Sequence, residues 1–210
     1  MDYETSRILS REQIRLIAKF FRKMFRIRSI LFPVLKVLNL LEKKFSNNLY
    51  IDVDEDENFE KNVMAELVPE DENYQYFCIR IRQSVYDAAL KGDNKCLGFI
   101  CHEMCHFILI YVFKIGPRQY ERKGIVFART IDNSSPAYKS MEWQAKALCG
   151  EVMIPFEKCR EFTFEEVIEK TKSSPSQASY FIHHVAKGGV LIEYFKKKKT
   201  QITGNNPSFG

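Results

Sequence analysis

An apolar segment from Cys96 to Ile115 carries two histidines and a glutamate at its centre, and this combination restricts what the chain can fold into. His102 and His106 are four residues apart, so in an α-helix both imidazoles lie on one face and can reach one metal ion. Glu103 follows the first histidine, where its carboxylate can approach an attacking water without binding the metal. Burying these three groups without partners would cost several kcal/mol. The segment therefore predicts a buried helix that carries a metal site.

Two other interpretations of this segment need to be weighed. Its length is close to the roughly 20 residues that span a bilayer. Two histidines and a glutamate at the centre make a membrane span costly, and Gly116-Pro117 ends the segment, so we expect no membrane span. A His-Glu-x-x-His pattern is also short enough to arise by chance or on a solvated helix face, and the pattern alone leaves that alternative open.

Composition is that of a folded soluble protein. The chain has 210 residues, 45% of them hydrophobic and 28% charged, which excludes a disordered chain and is typical of one substantial core. Six cysteines without any Cys-x-x-Cys, together with the start Met1-Asp-Tyr-Glu4, favour reduced thiols and a cytoplasmic protein. Cys101 and Cys105 are rotated by about 100° from the histidine face, so we expect small core thiols rather than ligands of the same ion.

Positive charge is concentrated in the first thirty residues and in the run from Lys196 to Lys199. Such clusters can contact nucleic acid, but most are solvated faces. Direct nucleic-acid binding therefore remains an open alternative at this point.

Periodicity and capping patterns predict a mixed helical and stranded chain. A capping box at Ser10 begins a helix over 11–29, and further boxes at Thr163 and Ser174 begin two more. Gly188-Gly189 is expected to close the last of these helices. The remaining expected elements are a helix from Pro33 to about Phe45, strands at 50–53, 76–82 and 125–128, a short helix at 84–90, and a helix from about Ser140 that stops before Pro155. We expect 77–82 to form an exposed sheet edge beside the metal helix, able to align an extended peptide.

A catalytic zinc needs three protein ligands and one open position. His183 and His184 are the only other histidines, so a carboxylate from another helix is the natural third ligand. The residues alone do not choose among the 27 acidic side chains.

Two segments together resemble the ImmA/IrrE family of metallopeptidases. One is Cys101-His-Glu-Met-Cys-His106. The other is Glu142-Trp-Gln-Ala-Lys-Ala-Leu-Cys-Gly-Glu-Val-Met-Ile-Pro155, a glutamate followed by an alanine and an apolar helix that stops at a proline. The resemblance covers roughly residues 50–190. Cys105, Lys146 and Phe181 depart from the family's usual glycine, asparagine and arginine.

The resemblance implies an α+β fold, with a mainly helical zincin-like core, a small antiparallel or mixed sheet and a C-terminal helix-turn-helix-like segment. His102, His106 and Glu142 would hold Zn²⁺, at a site that also accepts Mn²⁺, and Glu103 would be the catalytic base. The expected divisions are an N-terminal helical segment (1–48), a metallopeptidase core (49–157), a helical subdomain (158–195) and a basic tail (196–210).

The resemblance also implies a function, a zinc-dependent endopeptidase. Its protein substrate would be a helix-turn-helix transcriptional repressor encoded nearby, whose cleavage derepresses mobile-element or stress genes. The alternative is a non-catalytic protein of the same fold that binds a repressor or DNA as a regulator. An intact Glu103 favours the enzyme, because a binding protein has no need of that carboxylate.

Overall fold

A computed structural model describes residues 2–122, 125–128 and 136–186 of the chain, which has an α+β architecture. Within these residues, the α-helices are α1 (Arg11–Met24), α2 (Val34–Lys44), α3 (Gln83–Leu90), α4 (Asn94–Phe107), α5 (Met141–Met153), α6 (Phe156–Cys159), α7 (Phe164–Thr171) and α8 (Pro175–Tyr180). The strands are β1 (Leu49–Asp54), β2 (Ala65–Pro69), β3 (Phe77–Arg82), β4 (Gln119–Arg122) and β5 (Ile125–Ala128). Short 3₁₀ helices span Asp56–Asn58 and Ala137–Lys139, and π-helical turns span Ile108–Val112 and Phe181–Ala186.

Helix α1 begins where the capping box predicts, but it ends at Met24, earlier than the expected Ser29. Arg26 adopts a left-handed conformation with φ of 57°. The N–H of Arg26 donates to the carbonyl of Lys23, and the N–H of Ile27 donates to that of Arg22. This pair of bonds is a Schellman motif. Arginine occupies the left-handed position where glycine is usual, so no glycine in the sequence marked the end of the helix.

The three-stranded sheet has the order β1-β3-β2, with β3 parallel to β1 and antiparallel to β2. The expectation that 77–82 forms an exposed edge is wrong, because β3 is the central strand and its Ile79 and Ile81 are fully buried. Arg80, also on β3, ties the sheet together by pairing with Asp54 of β1 at 3.0 Å and Glu66 of β2 at 2.8 Å. The edge beside α4 is β2, a strand that sequence periodicity did not predict.

One hydrophobic cluster extends from Leu9 in the chain before α1 to Ala186 after α8. Helix α4 packs against α5, the sheet and α2, and α1 packs against α5. Where α1 packs against α5, the guanidinium of Arg22 is buried and donates to the backbone carbonyls of Val152, Ser29 and Ile30. Helix α4, which carries both His102 and His106, is therefore a central element of the fold.

Several predicted boundaries are confirmed. Helix α5 ends at Met153, before Pro155, and the capping boxes at Thr163 and Ser174 both form. Strand β5 spans the predicted residues 125–128. Gly188-Gly189 and the basic run at 196–199 lie outside the described residues. The continuous helix Asn94–Val112 is long and apolar enough to cross a membrane by length and composition, a property that core helices of soluble proteins share.

Candidate metal centre

His102, His106 and Glu142 come together across the contact between α4 and α5. The Nε2 atom of His102 lies 3.1 Å from Oε2 of Glu142, and that of His106 lies 3.0 Å from Oε1. The two Nε2 atoms are 3.1 Å apart. Two ring nitrogens and one carboxylate, from residues up to 40 positions apart in the chain, thus converge on one point.

The donor set fits a divalent cation. Ligand atoms about 2.0–2.1 Å from a tetrahedral ion would be separated by about 3.3 Å, close to the spacing observed here. The facing Nε2 atoms of His102 and His106 can share only one proton between them, whereas a cation can satisfy both lone pairs and the carboxylate at once. Two imidazoles and a carboxylate suit zinc, and also manganese or iron.

Helix α4 places the two imidazoles on its face towards α5. Asp93 caps the helix by accepting a hydrogen bond from the N–H of Cys96 at 2.8 Å, which fixes where the helix starts. The opposite face carries Ile100 and Phe107, both fully buried in the core. The helix cannot rotate to expose its histidines without losing that packing.

The first turn of α5 and the beginning of the chain position Glu142. Ser140 caps α5 by accepting from the N–H of Trp143 at 2.9 Å. The carboxylate of Asp2 accepts from the hydroxyl of Ser140 and, at 3.3 Å, from the N–H of Glu142. The N–H of Met141 donates to the carbonyl of Tyr3 at 3.0 Å, so the first residues lie along the start of this helix. Sequence reasoning missed Asp2, because nothing in its local pattern signals a contact 140 residues away.

The charges of Glu142 and its two histidine partners depend on one another. Burial acts to raise the pKa of Glu142, but hydrogen bonds from His102 and His106 outweigh it and hold that pKa far below its usual range. Burial acts to lower the pKa of His102, but Glu142 and Glu103 outweigh it and the pKa is raised. Glu142 therefore attracts positive charge, which either a proton on His102 or a bound cation can supply.

Glu103 lies beside this group without joining it. Its Oε2 accepts a hydrogen bond from the N–H of Leu67 in β2 at 2.9 Å, and its Oε1 lies 4.0 Å from Nε2 of His102. Burial raises the pKa of Glu103 above the usual glutamate range. The edge strand thus fixes one carboxylate oxygen and leaves the other directed at the histidines.

A cavity of about 470 Å³ adjoins the site between α4, α5 and α8. Its lining is mostly apolar and includes His102, Phe99, Trp143, Cys149, Tyr180 and Phe181. The cavity gives the region around His102 room for a side chain or a small molecule.

Cys101 and Cys105 do not belong to the histidine group, as their rotation on the helix predicts. Both are fully buried and lie together with Cys149 of α5 in a second group of metal-ligand type. Sequence reasoning did not anticipate Cys149 here, because only the crossing of α4 and α5 brings it to the other two.

Comparison of the chain with protein-family models, with curated protein sequences and with solved structures finds no match to any of them. A function for the chain therefore has to be argued from the geometry and chemistry of this site.

Proposed function

We propose that this protein is a zinc-dependent endopeptidase in which His102, His106 and Glu142 hold the metal and Glu103 is the general base. The observation that carries the proposal is the different placement of two glutamates. Glu142 joins the imidazole pair, while Glu103, one residue from a proposed ligand, is held outside the ligand group by the N–H of Leu67. Three ligands and a separate carboxylate are what metal-assisted hydrolysis requires. The resemblance of both segments to ImmA/IrrE metallopeptidases supports the same function.

The side chains divide the chemical work among them. Zinc, when bound, supplies Lewis acidity that polarises the scissile carbonyl and brings the pKa of water towards about 7. Oε1 of Glu103 accepts the proton of the attacking water, and the same carboxyl then gives a proton to the leaving amine. The raised pKa of Glu103 suits the second step, because it makes the carboxyl easier to protonate before it gives a proton to the amine.

Strand β2 is the element best placed to align a substrate. It lies at the edge of the sheet and contacts α4, and its Leu67 is bonded to the proposed base. An extended peptide that adds to a sheet edge is held by main-chain hydrogen bonds, with specificity from pockets for alternate side chains. Residues 65–69, rather than the predicted 77–82, would therefore align the peptide.

We further propose that the substrate is a helix-turn-helix repressor encoded near this protein. The DNA-binding alternative gains little from the segment at 173–185. Helix α8 continues into the π-helical turn Phe181–Ala186, where Phe181 and Val185 are buried against the core. Its exposed face carries Ser176, Tyr180, His183 and His184 but no arginine or lysine, the side chains that make most contacts to DNA.

The test is co-expression of the full chain with each helix-turn-helix repressor encoded beside it, followed by intact mass measurement of the repressor. We expect cleavage by the unaltered protein and a loss of about 10²-fold or more in Glu103→Gln, whose metal content stays the same. Glu161→Gln, on an exposed side chain away from the site, is the matched control and should cleave normally. Normal cleavage by Glu103→Gln would remove the proposed base.

A further inference from the structure

Four sulfur atoms meet where α4 crosses α5, separate from the histidine group. Cys101 and Cys105 supply two from α4, and Cys149 and Met153 supply two from α5. The three Sγ atoms lie within 4.8 Å of one another, and Sγ of Cys149 lies 3.9 Å from Sδ of Met153. All four side chains are buried, with at most 3% of their surface exposed. We call these residues the sulfur cluster.

We propose that the sulfur cluster is a binding site for a soft monovalent cation, Cu(I). Each helix contributes two sulfur residues spaced four apart, so both pairs project from one face towards the other helix. Thiolate and thioether ligands select Cu(I) over harder ions, which prefer nitrogen and oxygen. The cluster thus differs in preference from the two-imidazole, one-carboxylate group beside it.

The spacing needs little adjustment to accept an ion. Three thiolates bound at about 2.3 Å around a trigonal ion would be about 4.0 Å apart. The Sγ atoms already lie within 4.8 Å of one another, so small side-chain rotations are enough. Met153 is near enough to Cys149 to add a fourth, weaker contact.

The binding step balances in protons and electrons. Each thiol that binds the ion releases its proton to solvent, and the copper stays monovalent, so no oxidant or reductant is needed.

The ion has a path to the cluster, and one sulfur pair has a supporting contact. Cys149 lines the cavity beside His102, so an ion can arrive without opening the core.

The side-chain amide of Gln177 lies 3.8 Å from Sγ of Cys149 and 3.5 Å from Sδ of Met153. Such outer contacts orient ligands and tune their affinity.

The experiment is an anaerobic titration of the reduced full chain with Cu(I), in competition with a chromogenic Cu(I) chelator. We expect one Cu(I) per chain to be taken from the chelator. Cys149→Ala should weaken binding by about 100-fold, and Met153→Leu, which conserves volume, by about tenfold. Cys159→Ala is the matched control, because Cys159 is a free and equally buried thiol outside the cluster.

Further variants separate this proposal from the peptidase proposal. His102→Ala and Glu142→Ala should keep Cu(I) affinity while losing zinc, and X-ray absorption of the copper-loaded chain should show a first shell of sulfur alone. Three results would overturn the proposal: no competition by the unaltered chain, equal losses in Cys159→Ala and Cys149→Ala, or nitrogen ligands in the absorption spectrum. Met153→Leu keeps the test decisive if Cys149→Ala does not fold.

Discussion

Glu103 and Glu142 are chemically identical side chains at one site, and their surroundings give them opposite properties. Burial raises the pKa of Glu103, while two imidazoles hold the pKa of Glu142 far down despite burial. When the surroundings shift the pKa values of two carboxyl groups in opposite directions, one group can move protons while the other stays charged. The contrast matches the roles of base and ligand proposed for them.

Asp2 should tune the metal site without touching the metal. Its carboxylate accepts hydrogen bonds from Ser140 and from the N–H of Glu142, so it fixes the turn from which the third ligand projects. We expect Asp2→Ala to lower zinc affinity by about tenfold, as is typical for groups that orient ligands. Competition against a zinc-sensitive dye measures this change.

Asp87→Ala provides the comparison for Asp2, since Asp87 bonds only a side chain of its own helix, Gln83, at 2.8 Å in the described contacts. Its zinc affinity should equal that of the unaltered chain. Equal affinity in Asp2→Ala would show that the first turn of α5 holds Glu142 without help from the beginning of the chain.

Among the elements, α5 connects the candidate metal site to the basic N-terminal helix. Glu151 near its end accepts from Nε of Arg15 on α1 at 3.0 Å, and the guanidinium of Arg15 stacks over Phe156. Basic residues of α1 thus contribute to the packing of the fold. Some of the basic side chains in the first thirty residues therefore form contacts within the fold.

The Arg15 and Glu151 pair leads to a prediction on pH and stability. Burial raises the pKa of Glu151, although Arg15 acts in the opposite direction. A raised folded-state pKa gives stability that is present below the ordinary pKa of about 4.3 and is lost as pH rises through the raised value. Glu151→Gln should therefore melt at a higher temperature than the unaltered chain at pH 7, with the difference shrinking towards pH 4.

Glu157→Gln is the comparison for Glu151→Gln, because the pKa of Glu157 is shifted in the opposite direction. Burial acts to raise the pKa of Glu157, but its pair with Lys19 outweighs this and lowers the pKa, so its charge stabilises the fold at neutral pH. This variant should melt slightly lower at pH 7, with the loss disappearing in acid. A lower melting temperature for Glu151→Gln at pH 7 would mean that pairing with Arg15 outweighs burial.

Elements with local signals could be predicted from the sequence, and those set by distant contacts could not. The capping boxes at Ser10, Thr163 and Ser174 depend on residues three positions apart, and each formed as predicted. Strand β2 was missed because its five residues lack a strong alternation and depend on pairing with β3. The spacing of the two histidines predicted that they share one helix face, and Glu142 was predicted only from the family resemblance. Neither spacing nor resemblance predicted that Cys149 lies beside Cys101 and Cys105.

At the scale of the whole molecule, the proposed ligands join two helices that are far apart in the sequence. Helix α4 packs on the sheet and α2, and α5 packs on α1, so an ion held by both helices would link most of the core. Because such a site forms only in the folded chain, binding free energy adds to folding free energy. Metal binding should therefore be visible as stability of the entire fold, independently of any substrate.

Removal of the metal should lower the melting temperature of the full chain. At a free zinc concentration 100 times Kd, binding contributes about 2.7 kcal/mol, which for a chain of this size corresponds to about 5–10 °C. Differential scanning calorimetry with and without a chelator measures the shift, and zinc should restore it. Glu142→Ala should melt at one temperature whether or not the chelator is present, because its site lacks the third ligand. A chelator effect of the same size in Glu142→Ala would place the stabilising ion elsewhere in the protein, and the sulfur-cluster variant Cys149→Ala would then show whether the ion is held there.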